Sequence, residues 1–566
     1  MKVSIIKDAG IQAFLPSRVH YLSKNKPTNQ PTNKPTHLPP KSEQKIKNSV
    51  AKSAIYFASG TLMSRVMGLV RDALLVAIFG KTVSDAWLAA FRFPNLFRRI
   101  FGEGALSACF IPLYVEYKDR KDEKSLGQLT AGVLGLLLAV LVPLTVLFVL
   151  GMDSVIRSWV HGKGFTDIPG KVELTVSMTK IMFPFLLLMT LYAYLMAVLN
   201  AHKKFLLSSI APLFFNAIIV AASLYCYYAD FISAIFLSWS VIAGGVVQFL
   251  ALVPSFLKLK TSFDWRLSSL TSVPVKRVLK AFLPSIVGLG IIQFMGLVNI
   301  SFASQLQEGS VTYIYLADRL LELPLSLVAV SLGTALLPTL SEAISQNNET
   351  GFKFELFKNI KLLLLLCIPA SVGMWMTSSL LVSVLFERGA FSADEVAVVA
   401  AIVKVYAFTL VGASLTRILG QAFYAEKSTT VPALASAVGF VVHLFMAPLL
   451  MQRWGVEGLV ISTAISTFIN CFALVIWFYT RHGSLYFAEL FWFCAKTLVA
   501  STAIIGVCWL QTQFFTPTLF LQKVVVLLSV VFLSGVLFFV AARLLRVEEA
   551  QWLFKRLQSR LKKKAI

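Results

Sequence analysis

Three stretches of the sequence place ionisable side chains inside otherwise apolar runs. In SRVMGLVRD, at 100° per residue, Ser64, Arg65, Gly68, Arg71 and Asp72 fall within an arc of about 120°, so a helix there presents a single polar wedge. In FRFPNLFRRIFGE, Arg92, Arg99 and Glu103 share one stripe, Asn95, Arg98 and Gly102 occupy the next, and Pro94 sits between them. Glu103 can pair with Arg99 one turn away, which leaves Arg92 and Arg98 without a local counter-ion. The third stretch holds Asp318, Arg319 and Glu322 at i, i+1 and i+4, followed by Pro324. Any one of these arginines could be packing or could reach to the membrane interface along its own stem. Five of them (Arg65, Arg71, Arg92, Arg98 and Arg319), drawn from three helices, point instead to a shared cationic cavity. The planar guanidinium fork pairs best with bidentate oxyanions, so the expected guest is a polyanion such as a diphosphate. Gly68 and Gly102 would let a backbone or ligand approach closely.

The elements that must position these charges are membrane helices. Of 566 residues, 57% are hydrophobic and 14% charged, and the mean hydropathy is +0.75, far from the soluble norm. A charged group at membrane depth costs several kcal/mol unless it is paired or wetted, which makes each of these residues a functional suspect. Apolar runs long enough to cross roughly 30 Å of hydrocarbon recur about fourteen times, the first at about 50–79 and 84–115, the eighth at about 311–340 and the last at about 518–544. The expected fold is therefore all-α and polytopic. The formal charge of +24 in a soluble chain would suggest nucleic acid. Here the Lys and Arg residues concentrate in alternate loops, among them Lys118, Arg120, Lys121 and Lys124, then Lys203 and Lys204, then Lys258 to Lys280. That pattern is the positive-inside bias; it predicts both termini in the cytoplasm and no nucleic-acid partner. Six scattered histidines and six cysteines without a C-x-x-C pair argue against a metal or haem enzyme.

A weak repeat joins WLAAFRFP from Trp87, ending in PLYVE at Pro112–Glu116, to YLADRLLELP from Tyr315, ending in PTLSE at Pro338–Glu342. Each copy lies on the second helix of a six-helix set. The predicted organisation is a polar, disordered extension over 1–46, an N-lobe of six spans over 47–255 and a C-lobe of six over 256–481. An added helix pair over 482–545 and a basic amphipathic tail over 546–566 complete the chain. Duplicated halves with a site between them are common among transporters. The extension lacks the apolar stretch and cleavage site of a secretion signal. The tail, with Trp552, Leu553, Leu557 and Leu561 at helical spacing, is expected to lie on the anionic inner leaflet.

On these residues the chain resembles the MurJ/MviN family of lipid II flippases, within the multidrug/oligosaccharidyl-lipid/polysaccharide exporter superfamily. The resemblance runs from about Lys52 onward. It rests on SRVMGLVRDALLVAIFG, SDAWLAAFRFPNLFRRIFGEGALSACFIP, the Y-x-A-D-R-L-x-E-x-P motif at Tyr315–Pro324 and ERGAF at Glu387–Phe391. It implies a non-enzymatic carrier of the undecaprenyl-diphosphate-linked peptidoglycan precursor, lipid II, in the bacterial inner membrane. Two six-helix bundles would flank a central cavity, the added pair would form a groove for the polyprenyl tail, and the cell-wall synthesis machinery would be a partner. Carried over by position, the essential cavity arginines are similar to Arg65, Arg71, Arg98 and Arg319. Ser64, Asp72, Asp85 and Glu322 would give polar support, and Asn216 matches a further cavity position. Some members hold sodium between the seventh, eleventh and twelfth helices. Here Asn299 and Asn470 are the candidate ligands, and His443 stands where Asn is more usual, so either sodium or the membrane potential is the expected driving force.

Two rivals differ in their residues. A cation-coupled drug or oligosaccharide exporter of the same superfamily wants embedded acids in an apolar cavity. A membrane-embedded polyprenyl-diphosphate transferase wants acidic metal-binding runs at the membrane face, where this chain offers only the mixed-sign KDRKDEK at Lys118–Lys124.

Overall fold

A computed structural model of the chain describes residues 40–100, 106–259, 261–484, 486–515 and 517–552. Contacts divide it into a short unit, 1–52, and a large unit, 53–566. The described residues are helical, with no strand among them. The first lobe comprises α1 (Pro40–Phe97), α2 (Ser107–Asp119), α3 (Glu123–Trp159), α4 (Lys163–Thr166), α5 (Lys171–Met182), α6 (Phe185–Ala201), α7 (Phe205–Tyr228) and α8 (Ala234–Leu257). After a short 3-10 turn, Leu267–Thr271, come α9 (Val273–Ser304), α10 (Ser310–Pro324), α11 (Ser331–Ser345), α12 (Glu349–Met376), α13 (Ser378–Phe386), α14 (Ala393–Ala425) and α15 (Thr430–His482). The added pair is α16 (Phe487–Phe514) and α17 (Phe520–Leu544). Ten helical segments are long and apolar enough to cross a membrane, among them the 53-residue α15. Since α15 is broken at Trp454–Gly455, it covers two of the expected spans. In lipid every backbone amide must find its partner within the protein, and helices do that locally.

Several boundaries differ from expectation. Helix α1 begins at Pro40, inside the stretch expected to be a disordered tail. Proline suits a first helical position, and the Lys, Glu and Gln that follow are good helix formers. The remainder of that extension, and the tail beyond Trp552, lie outside the described residues, as do Gly102 and Glu103. The second expected span is interrupted: the helix widens to a π turn at 98–100, just after Pro94, before α2 resumes. The eighth does the same, with a π segment at Leu325–Val330 directly after Pro324. Proline removes one backbone donor and crowds the preceding turn, and a widened turn is one way to absorb this. Both π segments fall at corresponding places in the repeat that joins Trp87 to Tyr315.

Two apolar cores match the two lobes only in part. The first contains α3, α5 and α6 residues such as Leu129, Met182 and Leu199, but also Val275, Val278 and Phe282 of α9. Helix α9, on the C-lobe side of the expected boundary, thus buries its first turns in the N-lobe. The linker before it is clamped to α3: Asp264 N–H donates to Gly127 O at 3.1 Å, Thr130 Oγ1 donates to Ser262 O at 2.6 Å, and Gly132 faces Ser269. A methyl group on Gly132 would lie 2.4 Å from the Ser269 carbonyl and 2.5 Å from Val275. The Gly132→Ala variant is therefore expected to lose roughly 1–3 kcal/mol through overpacking. Gly151, on the same helix with nothing within 4 Å, should instead gain about 0.5–1 kcal/mol as alanine. Thermal unfolding of the purified variants in detergent reads both, and equal shifts would contradict the clamp.

Candidate functional site

The polar wedge of α1 reaches the eighth span. Asp72, fully buried, accepts from Arg71 Nε at 3.0 Å and Nη2 at 2.6 Å, and from Arg319 Nε at 3.1 Å. The Tyr315 hydroxyl sits among all three, 3.2 Å from Asp72 Oδ2, 3.1 Å from Arg71 Nη2 and 2.7 Å from Arg319 Nη2. One carboxylate therefore serves two guanidinium groups from opposite lobes. Arg71 is completed by Asn216 Oδ1 at 3.1 Å and by the Trp87 ring 5.6 Å from its Cζ. Asn216 in turn donates to the Ser64 carbonyl at 3.3 Å. Arg319 also donates to Glu322 at 3.2 Å.

Of these residues, Ser64, Arg71, Asn216, Arg319 and Glu322 form part of the wall of a cavity of about 680 Å³, within the size range of small-ligand sites. Ser64, Arg65, Gly68, Arg71, Asn95, Arg98, Arg99, Asn216, Arg319 and Glu322 all line it. Arg65 donates to Ser326 in the π segment of the eighth span, and Arg98 Nε donates to Asn95 at 2.9 Å. Among the described residues, five guanidinium groups in the wall face one wall carboxylate, Glu322, and the buried Asp72 behind it, an excess of positive charge. Arg71 and Arg319 spend most of their hydrogen-bonding capacity on protein partners. Arg65 and Arg99 have no carboxylate within 4.0 Å among the described residues.

Other expected site residues lie elsewhere. Arg92 leaves the wall and lies against α9, where a methyl group on Gly296 would come 1.4 Å from Arg92 Nη2; only glycine admits it. Asp318 is also off the wall, within electrostatic reach of Arg92 and Arg319. Asp85 takes no part in the cavity. Its Oδ1 accepts from Thr312 N–H at 2.8 Å and Thr312 Oγ1 at 2.6 Å, and its Oδ2 from Gly309 N–H at 2.8 Å and Lys171 Nζ at 2.9 Å. It thus caps the N-terminus of α10 from the other lobe, a favourable place for a carboxylate. The sequence reading missed Lys171, Gln248, Gln293 and Ser209, and it missed Arg417 of α14, which lies within reach of Arg65 and Glu322. A lone arginine in the apolar run of α14 was the available signal for the last.

For a cation, Asn299 Oδ1 and Asn470 Oδ1 are buried with no hydrogen-bond partner among the described residues. Asn470 Nδ2 contacts Ser436 at 3.3 Å, and His443 Nδ1 is held by Ser462 at 2.8 Å. No group of three or more His, Cys, Asp or Glu side chains able to hold a metal occurs among the described residues.

The model of the family "Lipid II flippase MurJ" matches residues 75–531. A "Probable lipid II flippase MurJ" of Bdellovibrio bacteriovorus is 39% identical over 76% of this chain and 82% of its own length. A "Lipid II flippase MurJ" of Burkholderia cenocepacia is 32% identical over 74% of this chain and 82% of its own. Among solved structures, one described as "Lipid II flippase MurJ, inward closed conformation" has a TM-score of 0.70 at 23% identity, covering 86% of this chain and 99% of that one. An inward-facing multidrug resistance MATE family transporter has a TM-score of 0.66 at 14% identity, covering 76% of this chain and 98% of that one; these two likenesses concern the fold. With its matched span, its relatives and a cationic cavity between two lobes of helices, the chain belongs to the MurJ family of lipid II flippases.

Proposed function

We propose that this protein carries lipid II from the cytoplasmic to the outer face of the bacterial inner membrane, without covalent chemistry, by alternating access of the cavity. The observation that carries the reading is the net positive wall built from both lobes, which only a polyanionic guest balances within a low-dielectric bilayer. The cavity occupies the half of the molecule toward the basic loops: Met196 and Ser209 in its wall flank the loop bearing Lys203 and Lys204. At the opposite end the lobes are joined through Asp85. With the basic loops in the cytoplasm, the cavity is placed to receive the diphosphate from inside. Arg65 and Arg98 are the first ligands. Arg319 becomes available as the incoming anion competes with Asp72 and Glu322 for its fork, and that exchange loosens the tie between the lobes.

The cation-coupled exporter reading lacks the acid-rich, otherwise apolar cavity it needs. The driving force in this proposal is the membrane potential acting on the charged cavity and guest, worth about 2.3 kcal/mol per charge per 100 mV. Cell-wall synthesis enzymes that consume the delivered precursor are the expected partners.

Two outcomes test this. Arg98→Ala should abolish lipid II translocation in proteoliposomes, and complementation of a depleted strain, while leaving membrane insertion intact; a fully active variant refutes the ligand role. Wild-type transport should respond to an imposed potential in sodium-free buffer, and an absolute requirement for sodium would overturn the assignment of driving force.

A further inference from the structure

The ERGAF motif, Glu387–Phe391, lies far from the cavity, yet each of its residues has a distinct contact. Glu387 Oε2 accepts from Lys523 Nζ of α17 at 2.8 Å and from the Ser383 hydroxyl, and Lys523 Nζ also reaches Ser383 Oγ at 2.9 Å. Lys523 and the serine together hold the Glu387 carboxyl below the usual carboxylate range. Arg388 stacks its guanidinium 5.0 Å from the Phe520 ring of the same helix and donates to Val384 O at 2.5 Å. Gly389 has φ +59°, and a methyl group there would lie 2.2 Å from the Ala77 carbonyl. Only glycine lets the chain pass so close. The next N–H, that of Ala390, donates to Ala77 O at 2.8 Å, beside the break in α1 at Gly80 (φ +66°). Phe391 is buried between Tyr313 and Phe386.

Five consecutive residues therefore join three bodies: the added helix pair, the break in α1 of the N-lobe, and the core of the C-lobe. All of this lies at the end where Asp85 also closes the lobes. We infer that the ERGAF loop is an outer latch across the lobe interface and that Lys523 is the positioning residue holding it in register, so that the added pair and the outer closure move together. The inference rests on the transport reading above. The family resemblance implies that the added pair forms a groove for the lipid tail, so the latch would make outward opening sensitive to how that pair is seated.

A cross-link tests the latch directly. A Cβ built on Gly80 lies 3.7 Å from Ala390 Cβ, inside the range that a disulfide spans. In a Gly80→Cys/Ala390→Cys protein in lipid II proteoliposomes, oxidation should stop translocation and reduction should restore it. Each single-cysteine variant should ignore the oxidant; five of the six native cysteines are buried and none is paired. Translocation undiminished by a completed cross-link overturns the latch.

For Lys523, Glu387→Gln and Lys523→Gln should each slow translocation at least about fivefold with lipid II affinity unchanged. The exchanged pair Glu387→Lys/Lys523→Glu should recover most of the rate. No recovery, or an equal loss of affinity, removes Lys523 from the role. Lys523→Gln should also change the rate at which the engineered cysteine pair oxidises, and an unchanged rate likewise counts against the coupling. That readout needs no transport. If wild-type vesicles fail to move lipid II, the transport reading fails while the latch is still judged by cross-linking.

Discussion

Asp72 is one carboxylate asked to satisfy two arginines. Two guanidinium groups from different lobes meet at its oxygens inside a bundle of apolar helices, and a single negative charge cannot neutralise both. Burying such a group is affordable only because every oxygen and most donors around it are occupied by Tyr315, Asn216 and the arginines themselves. The residual positive charge favours an anion in the adjoining cavity. The same bonds hold α1 to α10, so recognition and inter-lobe contact share their atoms. A guest that draws Arg319 away from Asp72 leaves that carboxylate with Arg71 alone, and the interface it stabilised is weakened by the act of binding.

Much of this was legible from residue spacing, and the reason is geometric. On a single helix, the 100° step fixes which side chains share a face, so the wedge Ser64–Asp72 and the stripe through Asn95 and Arg98 could be read directly, and all of these except Asp72 line the cavity. Spacing cannot say which neighbour a face meets. Arg92, one of the five arginines expected in the cavity, lies on Gly296 instead, because its position on α1 points it at α9 rather than at the wall. The Asp85 contacts were illegible for the same reason: its partners Gly309 and Thr312 are 224 and 227 residues away, and its ion partner Lys171 is an ordinary loop-end lysine until the chain folds.

The repeat gains weight from a feature that two short matches could not supply. Pro94 and Pro324 each precede a π segment in the second helix of their lobe. A proline alone removes one hydrogen bond, whereas a widened turn also shifts the register of every residue beyond it. In the second lobe the charged cluster Asp318, Arg319 and Glu322 precedes the shift, whereas in the first lobe Arg98 and Arg99 lie in the widened turn itself. The cavity wall and its mouth are thereby set by two halves of one helix that need not move as a rigid rod.

The two ends of the lobe interface differ in what breaking them costs. At the end away from the basic loops, Asp85 is bonded to Lys171 and Thr312, and Ala390 N–H to the Ala77 carbonyl, at helix termini next to exposed loop residues such as Lys163 and Gln307, though Asp85, Lys171 and Thr312 are themselves buried while the lobes are closed. When the lobes part there, water can take each vacated place, so the net loss is about 0.5–1.5 kcal/mol per neutral bond and about 1.5–3 kcal/mol for those to the Asp85 carboxylate. At the level of Asp72 no bulk water is at hand, and an unsatisfied carboxylate or guanidinium would cost several kcal/mol. The outer bonds can therefore serve as a gate that opens by hydration. The central ones can release only when something equally polar replaces them, and in a net positive cavity that replacement must be an anion. In the transport cycle proposed above, this difference sets the order of events: occupation of the centre precedes opening of the far end, so that a headgroup crosses without leaving an open pore.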